Sequence, residues 1–115
     1  MCGGYYRERL SGFRLFRCYE VASDRIRRYL GAEVDFVVSS VCGAGLVLEL
    51  GCGYGRVMKV VSGFVGWVIG NDVSGESLEF AKEYMEGCGN YSVFLMNACR
   101  MGFGSGVFDC VFCVQ

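Results

Sequence analysis

The sequence predicts an α/β fold whose core is a parallel, doubly wound sheet. Apolar runs of strand length alternate with segments whose apolar residues recur at helical spacing, a pattern typical of βαβ units. The first run breaks directly into a glycine-rich turn, and the second ends in a carboxylate. A chain of 115 residues allows one structural domain. We expect an N-terminal helical segment in residues 1–43 and the sheet-forming core in residues 44–115.

Two helices are predicted in the N-terminal segment, and both should cover the sheet. Apolar residues between Phe13 and Leu30 fall on one helical stripe, which Gly31 should interrupt before a second helix at Ala32–Cys42. The stripe comprises Leu15, Cys18, Tyr19, Ala22, Ile26, Tyr29 and Leu30. The inward residues of the second helix are expected to be Val34, Val37, Val38 and Val41.

Charge is unevenly distributed along the chain. Residues 1–28 carry seven arginines against three acidic residues, a net charge of +4, whereas the whole chain has −1. The arginines could attract an anionic acceptor such as RNA, a nucleotide or an acidic metabolite. They could also form a solvated helix face, which is the commoner arrangement. Nucleic acid is therefore not favoured as a partner.

The most informative stretch is Val47–Arg56, a predicted buried strand that leads through a glycine-rich turn into a helix. Gly51, Gly53 and Gly55 stand at alternate positions, where the lack of a Cβ permits positive φ and the close approach of a ligand. A helix that begins just beyond the turn directs free N–H groups at that ligand. The spacing differs from the GxGxxG of pyridine-nucleotide dehydrogenases, which disfavours a nicotinamide cofactor.

A second buried strand is predicted at Gly66–Asp72. Asp72 lies 21 residues after Gly51. In doubly wound nucleotide-binding folds an acidic residue at about this distance, roughly 20 residues on, accepts hydrogen bonds from the ribose hydroxyls. A carboxylate suits that role because its two oxygens match the two donors of a ribose diol.

The rest of the chain adds a helix and two further strands to the prediction. Ser74 is a good N-cap for the helix, and Glu76 falls in its first turn, where the helix dipole favours a negative charge. The third and fourth strands are predicted at Ser92–Met96 and Phe108–Gln115. The helix residues expected to pack on the sheet are Leu78, Ala81 and Met85.

In order and spacing, these motifs resemble those of class I S-adenosylmethionine-dependent methyltransferases, from Val47 to the end of the chain. The resemblance is carried by Glu49–Gly55 (ELGCGYG), Asp72–Lys82 (DVSGESLEFAK), Asn97-Ala98 and the fourth strand. It implies a Rossmann-like sheet with the strand order 3-2-1-4. It also implies S-adenosylmethionine as the cofactor and methyl transfer to an acceptor that the sequence does not identify.

The resemblance further implies roles for individual residues. Asp72 would bind the ribose, and Val73 would pack on the adenine ring. Asn97 stands where relatives usually carry an aspartate that accepts a bond from the adenine amino group, so we expect weaker adenine recognition. Glu49 would orient the glycine loop or the amino group of the cofactor. The expected cofactor-binding residues are Glu49, Gly51, Cys52, Gly53, Asp72, Val73, Asn97, Ala98 and Gln115; no catalytic residue can be assigned.

The chain has eight cysteines and no histidine. Cys110 and Cys113 have CxxC spacing, but residues three apart on a strand face opposite sides, which disfavours a metal or redox site. Most cysteines are expected to be small core residues in a reducing cytosol. Cys52, inside the glycine loop, is expected to be partly accessible, with its pKa lowered by the adjacent helix N-terminus. It should then be the most readily alkylated thiol.

Relatives build a seven-stranded sheet, whereas this sequence stops at Gln115, so we expect a sheet truncated after the fourth strand. Phe108, Val111, Phe112 and Val114 would lie on an apolar edge strand that invites pairing with another chain. One hypothesis is a methyltransferase or its cofactor-binding half. The alternative is a non-catalytic methyltransferase-like module that completes its sheet by homo- or hetero-association.

Two expectations concern the N-terminus and the location of the protein. Tyr5 and Tyr6 could form an aromatic lid over the methyl-transfer pocket, or could belong to a frayed terminus. No apolar run approaches the roughly 20 residues that span a bilayer, and no signal-peptide pattern is evident. We therefore expect a cytoplasmic protein without a membrane partner.

Overall fold

The computed structural model describes residues 12–97, 103–104 and 106–114, which form one parallel sheet of four strands with helices packed on it. The helices are α1 (Gly12–Glu20), α2 (Asp24–Val41), α3 (Arg56–Val61) and α4 (Gly75–Tyr84). The strands are β1 (Leu46–Leu50), β2 (Trp67–Asp72), β3 (Tyr91–Leu95) and β4 (Cys110–Cys113). Their spatial order is β3-β2-β1-β4, which confirms the predicted α/β fold and strand order.

The strand order reverses beside β1. The chain moves outward from β1 to β2 and β3, and then returns to place β4 on the other side of β1. In open α/β sheets the crevice beyond the carboxyl ends of the strands at such a reversal is the usual position of a ligand. The register pairs Leu50 with Asn71 and Asp72 with Leu95, so the three strands end together at that edge.

The core lies between the helices and one face of the sheet. Val47 of β1 and Val68 of β2 are fully buried there, and the expected stripe of α4 is buried against the same face. Side chains of successive strand residues point to opposite faces, so Leu48 and Ile69 belong to the other face. The helical residues that complete the core are Val37, Val41, Val57, Met58, Val61, Leu78, Ala81 and Met85.

The sheet face opposite the helices carries a chain of aromatic rings. Phe94 of β3 contacts Phe103 with ring centroids 5.7 Å apart, and Phe103 contacts Phe108 at 5.1 Å. Both contacts are edge-on, the arrangement that aromatic rings favour. They attach the connection between β3 and β4 to this face of the sheet.

The break between α1 and α2 lies at residues 21–23, so the predicted interruption at Gly31 is wrong. Ser23 caps α2, because its hydroxyl accepts a hydrogen bond from the Ile26 N–H at 3.3 Å. Gly31 lies inside α2, where a glycine costs about 1 kcal/mol relative to alanine and does not by itself end a helix. Ile26 and Tyr29 are 51% and 72% exposed, so this part of the predicted stripe does not pack on the sheet.

The other boundaries follow the sequence closely. β1, β2 and β3 each begin within one residue of the predicted start, and Ser74 caps α4 by accepting from the Ser77 N–H at 3.1 Å. β4 is shorter than predicted and begins at Cys110. Just before β4, the Asp109 carboxylate accepts a hydrogen bond from the Leu46 N–H at 2.8 Å, which links the start of β4 to the start of β1.

Within the described part of the chain, no helix has the length and apolarity needed to cross a membrane.

Candidate functional site

The glycine loop, residues 51–55, follows β1 at the carboxyl edge of the sheet. Gly51, Gly53 and Gly55 have φ values of 68°, 58° and 94°, in the left-handed region that favours glycine. Gly55 is also the residue that precedes α3, and a Cβ there would lie 3.0 Å from the Met85 sulfur. The predicted dependence of this turn on glycine is confirmed at all three positions.

Two adjacent residues of β2 hold the loop in place. Asn71 Oδ1 accepts a hydrogen bond from the Gly51 N–H at 3.0 Å, and Asp72 Oδ2 accepts one from the Gly53 N–H at 2.8 Å. Because adjacent strand residues point to opposite faces, the loop is held from both sides of the sheet. Its backbone is therefore fixed by β2 as well as by the strand that precedes it.

Asp72 has more backbone partners than the sequence indicated. Its Oδ1 accepts from the Ser74 N–H at 2.9 Å, while Oδ2 is bonded to Gly53. A carboxylate oxygen can accept two hydrogen bonds, so each oxygen keeps capacity for one more donor. The carboxylate can thus order the loop and still receive two hydroxyl groups. Its role toward a ribose remains a prediction.

Asn71 was not singled out in the sequence. It is buried, and its Nδ2 donates to the Met96 carbonyl at 3.3 Å while its Oδ1 is bonded to Gly51. The backbone carbonyl of Asn71 accepts from the Cys52 N–H at 2.8 Å. The signal that could have identified it is an amide in an otherwise apolar strand, directly before the acidic residue.

An open depression of about 290 Å³ lies beyond the ends of β2 and β3. It is lined by Val73, Leu95, Met96 and Asn97. The two residues to which the resemblance gives contacts with adenine, Val73 and Asn97, therefore share one cavity next to Asp72. Ala98 and Gln115, which were also predicted to bind the cofactor, lie outside the described residues, as do Tyr5 and Tyr6.

Glu49 is the most unusual titratable group of the site. It is 2% exposed, and its Oε1 has no hydrogen-bond partner among the described residues. Burial raises the pKa of this carboxyl well above its ordinary value; the nearby Arg56 opposes that shift, and Asp72 and Glu33 reinforce it. The Arg56 guanidinium is paired with Glu33 at 2.9 Å. Glu49 is thus a buried carboxyl group near the end of β1 that can still accept a hydrogen bond.

Cys52 does not have the predicted exposure or acidity. Only 6% of the residue is exposed, and a Cβ on Gly70 would lie 2.7 Å from its sulfur, so the side chain packs toward the core. Burial raises the pKa of the thiol, and the negative charges of Glu49 and Asp72 raise it further. The prediction of a partly accessible thiol with a lowered pKa is wrong, because the turn directs this side chain inward. The contribution of Cys52 to the loop is its backbone N–H, which donates a hydrogen bond to the Asn71 carbonyl at 2.8 Å.

An aromatic cluster joins the glycine loop to the helices. Tyr54 is buried, and its ring centroid lies 5.4 Å from that of Phe16 in α1 and 4.9 Å from that of Tyr84 in α4. Burial raises the pKa of the Tyr54 hydroxyl. The Arg56 guanidinium lies 4.6 Å from the ring centroid of Tyr19 in α1. This cluster was not predicted from the sequence; an aromatic residue between two loop glycines was the available signal.

The cysteines provide no metal site in the described part of the chain. Cys110 is half-buried and packs against the core, whereas Cys113 is exposed, as expected for positions three apart on a strand. Across residues 12–97, 103–104 and 106–114, no group of three histidine, cysteine or acidic side chains could hold a metal ion.

Comparisons with known proteins bear on the same region. Residues 47–115 match a family model described as a methyltransferase domain. No curated protein sequence matches the chain significantly. Similar solved structures include the YcgJ protein from Bacillus subtilis, with 25% identity and a TM-score of 0.68 over 72% of this chain.

Two further similar structures are complexes with ligands. Phosphoethanolamine N-methyltransferase 1 from Haemonchus contortus, in complex with phosphoethanolamine and S-adenosylhomocysteine, has 25% identity and a TM-score of 0.62 over 67% of this chain. The N-methyltransferase NodS from Bradyrhizobium japonicum WM9, in complex with S-adenosylhomocysteine, has 14% identity and a TM-score of 0.68 over 81%, and shares the fold. The alignments span 37% of YcgJ, 17% of the Haemonchus enzyme and 47% of NodS, less than half of each.

Proposed function

The chain belongs to the methyltransferase-domain family, and from that premise we propose that it binds S-adenosylmethionine and forms the cofactor-binding part of a methyltransferase. The observation that carries the proposal is the meeting of Val73 and Asn97 in one depression beside Asp72. Asp72 in turn holds the glycine loop through Gly53. A single carboxylate thus joins the two parts of the proposed site.

The depression would receive the adenine ring. Val73 and Leu95 offer apolar surface for the ring face, and the Asn97 amide offers both a donor and an acceptor for the ring edge. Asp72 would accept the ribose hydroxyls with the capacity that its backbone partners leave. An adenosine unit would then lie across the ends of β2 and β3.

Glu49 would receive the amino group of the cofactor. A buried acceptor without a partner costs about 1–3 kcal/mol, and a bound ammonium or amine would remove that cost. The glycine loop and Glu49 lie at the same end of β1, so the amino-acid part of the cofactor would approach the chain there. Glu49 must lose its proton before it can pair with an ammonium group.

The chemistry proposed for this chain is positioning. S-adenosylmethionine supplies an activated methyl group, so the protein has mainly to align an acceptor and exclude water. The sequence has no histidine to act as a general base. The buried Tyr54 and the α1 rings packed on it would keep water from the loop side of the site. We assign this activity to the cytosol, where the eight cysteines of the sequence would stay reduced.

Calorimetric titration of the full chain with S-adenosylhomocysteine tests the proposal. We expect saturable binding with one site, and no competition by NADH. Asn97→Ala should weaken binding by about five-fold, since one hydrogen bond contributes roughly 1 kcal/mol. Asn90 directly precedes β3, at the amino end of the strand and away from the depression. Asn90→Ala is therefore the matched control and should bind as tightly as the unmodified chain. A folded chain that does not bind, or equal losses in both variants, would contradict the assignment.

The alternative is a module without catalytic activity that pairs through β4 with another chain. The observation that favours it is the position of β4, which in the described residues pairs only with β1 and carries Val111 at 53% exposure. Light scattering at micromolar concentration should then show dimers that Val111→Lys disrupts. Val107→Lys, at an exposed position outside the strand, is the control. A monomer in every sample would exclude association through this edge.

A further inference from the structure

We propose that Asn71 is a positioning residue that fixes the separation of the two walls of the cofactor site, an inference that rests on the function proposed above. One wall is the glycine loop, residues 51–55. The other is Leu95–Asn97, which lines the depression at the end of β3. Asn71 lies between them at the end of β2, and its side chain is bonded to both.

Both halves of the Asn71 amide are used. Its oxygen accepts from the Gly51 N–H at 3.0 Å, and its nitrogen donates to the Met96 carbonyl at 3.3 Å. The side chain is buried, so water cannot replace either bond without a change in the structure. The neutral amide offers a donor and an acceptor together at these two positions. Leucine would provide neither, and an ionised aspartate would provide only the acceptor.

The two residues bonded to Asn71 belong to the two walls of the site, so the bonds set the distance between those walls. Gly51 is the first residue of the loop, and Met96 immediately precedes Asn97 in the wall of the depression. A ligand that touches both walls must match the distance between them. A ligand that occupies the depression alone does not depend on that distance. Asn71 therefore acts through Gly51 and Met96, without touching the ligand.

The test compares a long and a short ligand on one variant. S-adenosylhomocysteine would reach from the depression to the loop, whereas adenosine lacks the amino-acid arm. For Asn71→Leu we expect the affinity for S-adenosylhomocysteine to fall about ten-fold, equivalent to about 1.4 kcal/mol. The affinity for adenosine should fall by less than about three-fold, well under 1 kcal/mol. Equal losses for both ligands, or unchanged binding of S-adenosylhomocysteine, would overturn the proposal.

Asn90→Leu provides the matched control for a purely structural effect. Asn90 Nδ2 donates to the carbonyls of Ser62 at 2.8 Å and Val65 at 3.2 Å, just before the start of β3 at the opposite edge of the sheet. The variant loses comparable hydrogen bonds with no contact to the site. It should bind both ligands as the unmodified chain does. If its affinity for S-adenosylhomocysteine falls as it does in Asn71→Leu, general destabilisation explains both results and the proposal fails.

A second variant covers the case in which Asn71→Leu does not fold, as judged by circular dichroism. Asn71→Ala removes both hydrogen bonds with a smaller side chain, so the same comparison of ligands and the same criteria apply. Failure of the proposed function has a different result: the unmodified, folded chain then binds neither ligand, and this inference fails with it.

Discussion

The buried carboxyl of Glu49 gives the folded chain a pH dependence that a single substitution should remove. Burial raises its pKa in the folded state above the ordinary value of 4.5, which it regains on unfolding. Above pH 4.5 the unfolded chain therefore binds fewer protons at this group than the folded chain does. Stability is then fully present below that pH and is lost as the pH rises toward the folded-state pKa.

The size of the effect follows from the number of protons released. One group that is protonated in the folded chain and ionised in the unfolded chain changes the free energy of unfolding by about 1.4 kcal/mol per pH unit. Glu49→Gln has no proton to release. As the pH rises above 4.5, the free energy of unfolding of the unmodified chain should therefore fall relative to that of Glu49→Gln. The slope of this difference against pH should reach at most about 1.4 kcal/mol per pH unit.

Urea unfolding of both chains at intervals from about pH 5 to pH 8 measures this difference. The glutamine amide can introduce a constant offset, because its nitrogen needs a partner in the buried site, so the slope is the informative quantity. Glu79→Gln, on the exposed side of α4, is the control and should leave the slope unchanged. Parallel curves for Glu49→Gln and the unmodified chain would refute the argument, since Glu49 would then titrate alike in both states.

Three further predictions concern the site. Asn97→Asp, which restores a charged acceptor, should tighten the binding of S-adenosylhomocysteine by about five-fold in calorimetry; weaker binding would contradict the assigned contact with adenine. Iodoacetamide should label Cys52 far more slowly than Cys113 when mapped by mass spectrometry, and equal rates would show that the loop opens. Tyr54→Ala should lower the free energy of unfolding in urea by about 3–5 kcal/mol, because it empties a buried aromatic site. Tyr29→Ala, at an exposed position, should lower it by less than about 0.5 kcal/mol.

The strands and the glycine loop could be predicted because their signals are local. Apolar runs of strand length give the strands, the alternate glycines give positive φ, and an acid after the second strand places Asp72 at the carboxyl edge. The order of the strands came from the resemblance to a known family. The boundary between α1 and α2 is set by the capping residue Ser23, which precedes α2, whereas Gly31 lies inside α2 and does not end it.

What the sequence did not reveal depends on contacts between distant segments. The burial of Cys52 is set by the close approach of the loop to Gly70, and no local pattern specifies that contact. The bonds of Asn71 join residues 20 and 25 positions away along the chain. The docking of Phe16 on Tyr54 likewise depends on the path of α1 over the folded loop. Such features appear only when the elements are assembled.

The double attachment of the glycine loop has a consequence for hydrogen exchange. Loops usually exchange their amide protons through small local openings, at a cost far below the global free energy of unfolding. The N–H groups of Gly51 and Gly53 are bonded to side chains at the end of β2, so neither can open without disturbing the centre of the sheet. We therefore expect these two amides to exchange in the same cooperative unit as β1 and β2. The segment of the site with no regular secondary structure should then unfold together with the strands that carry it.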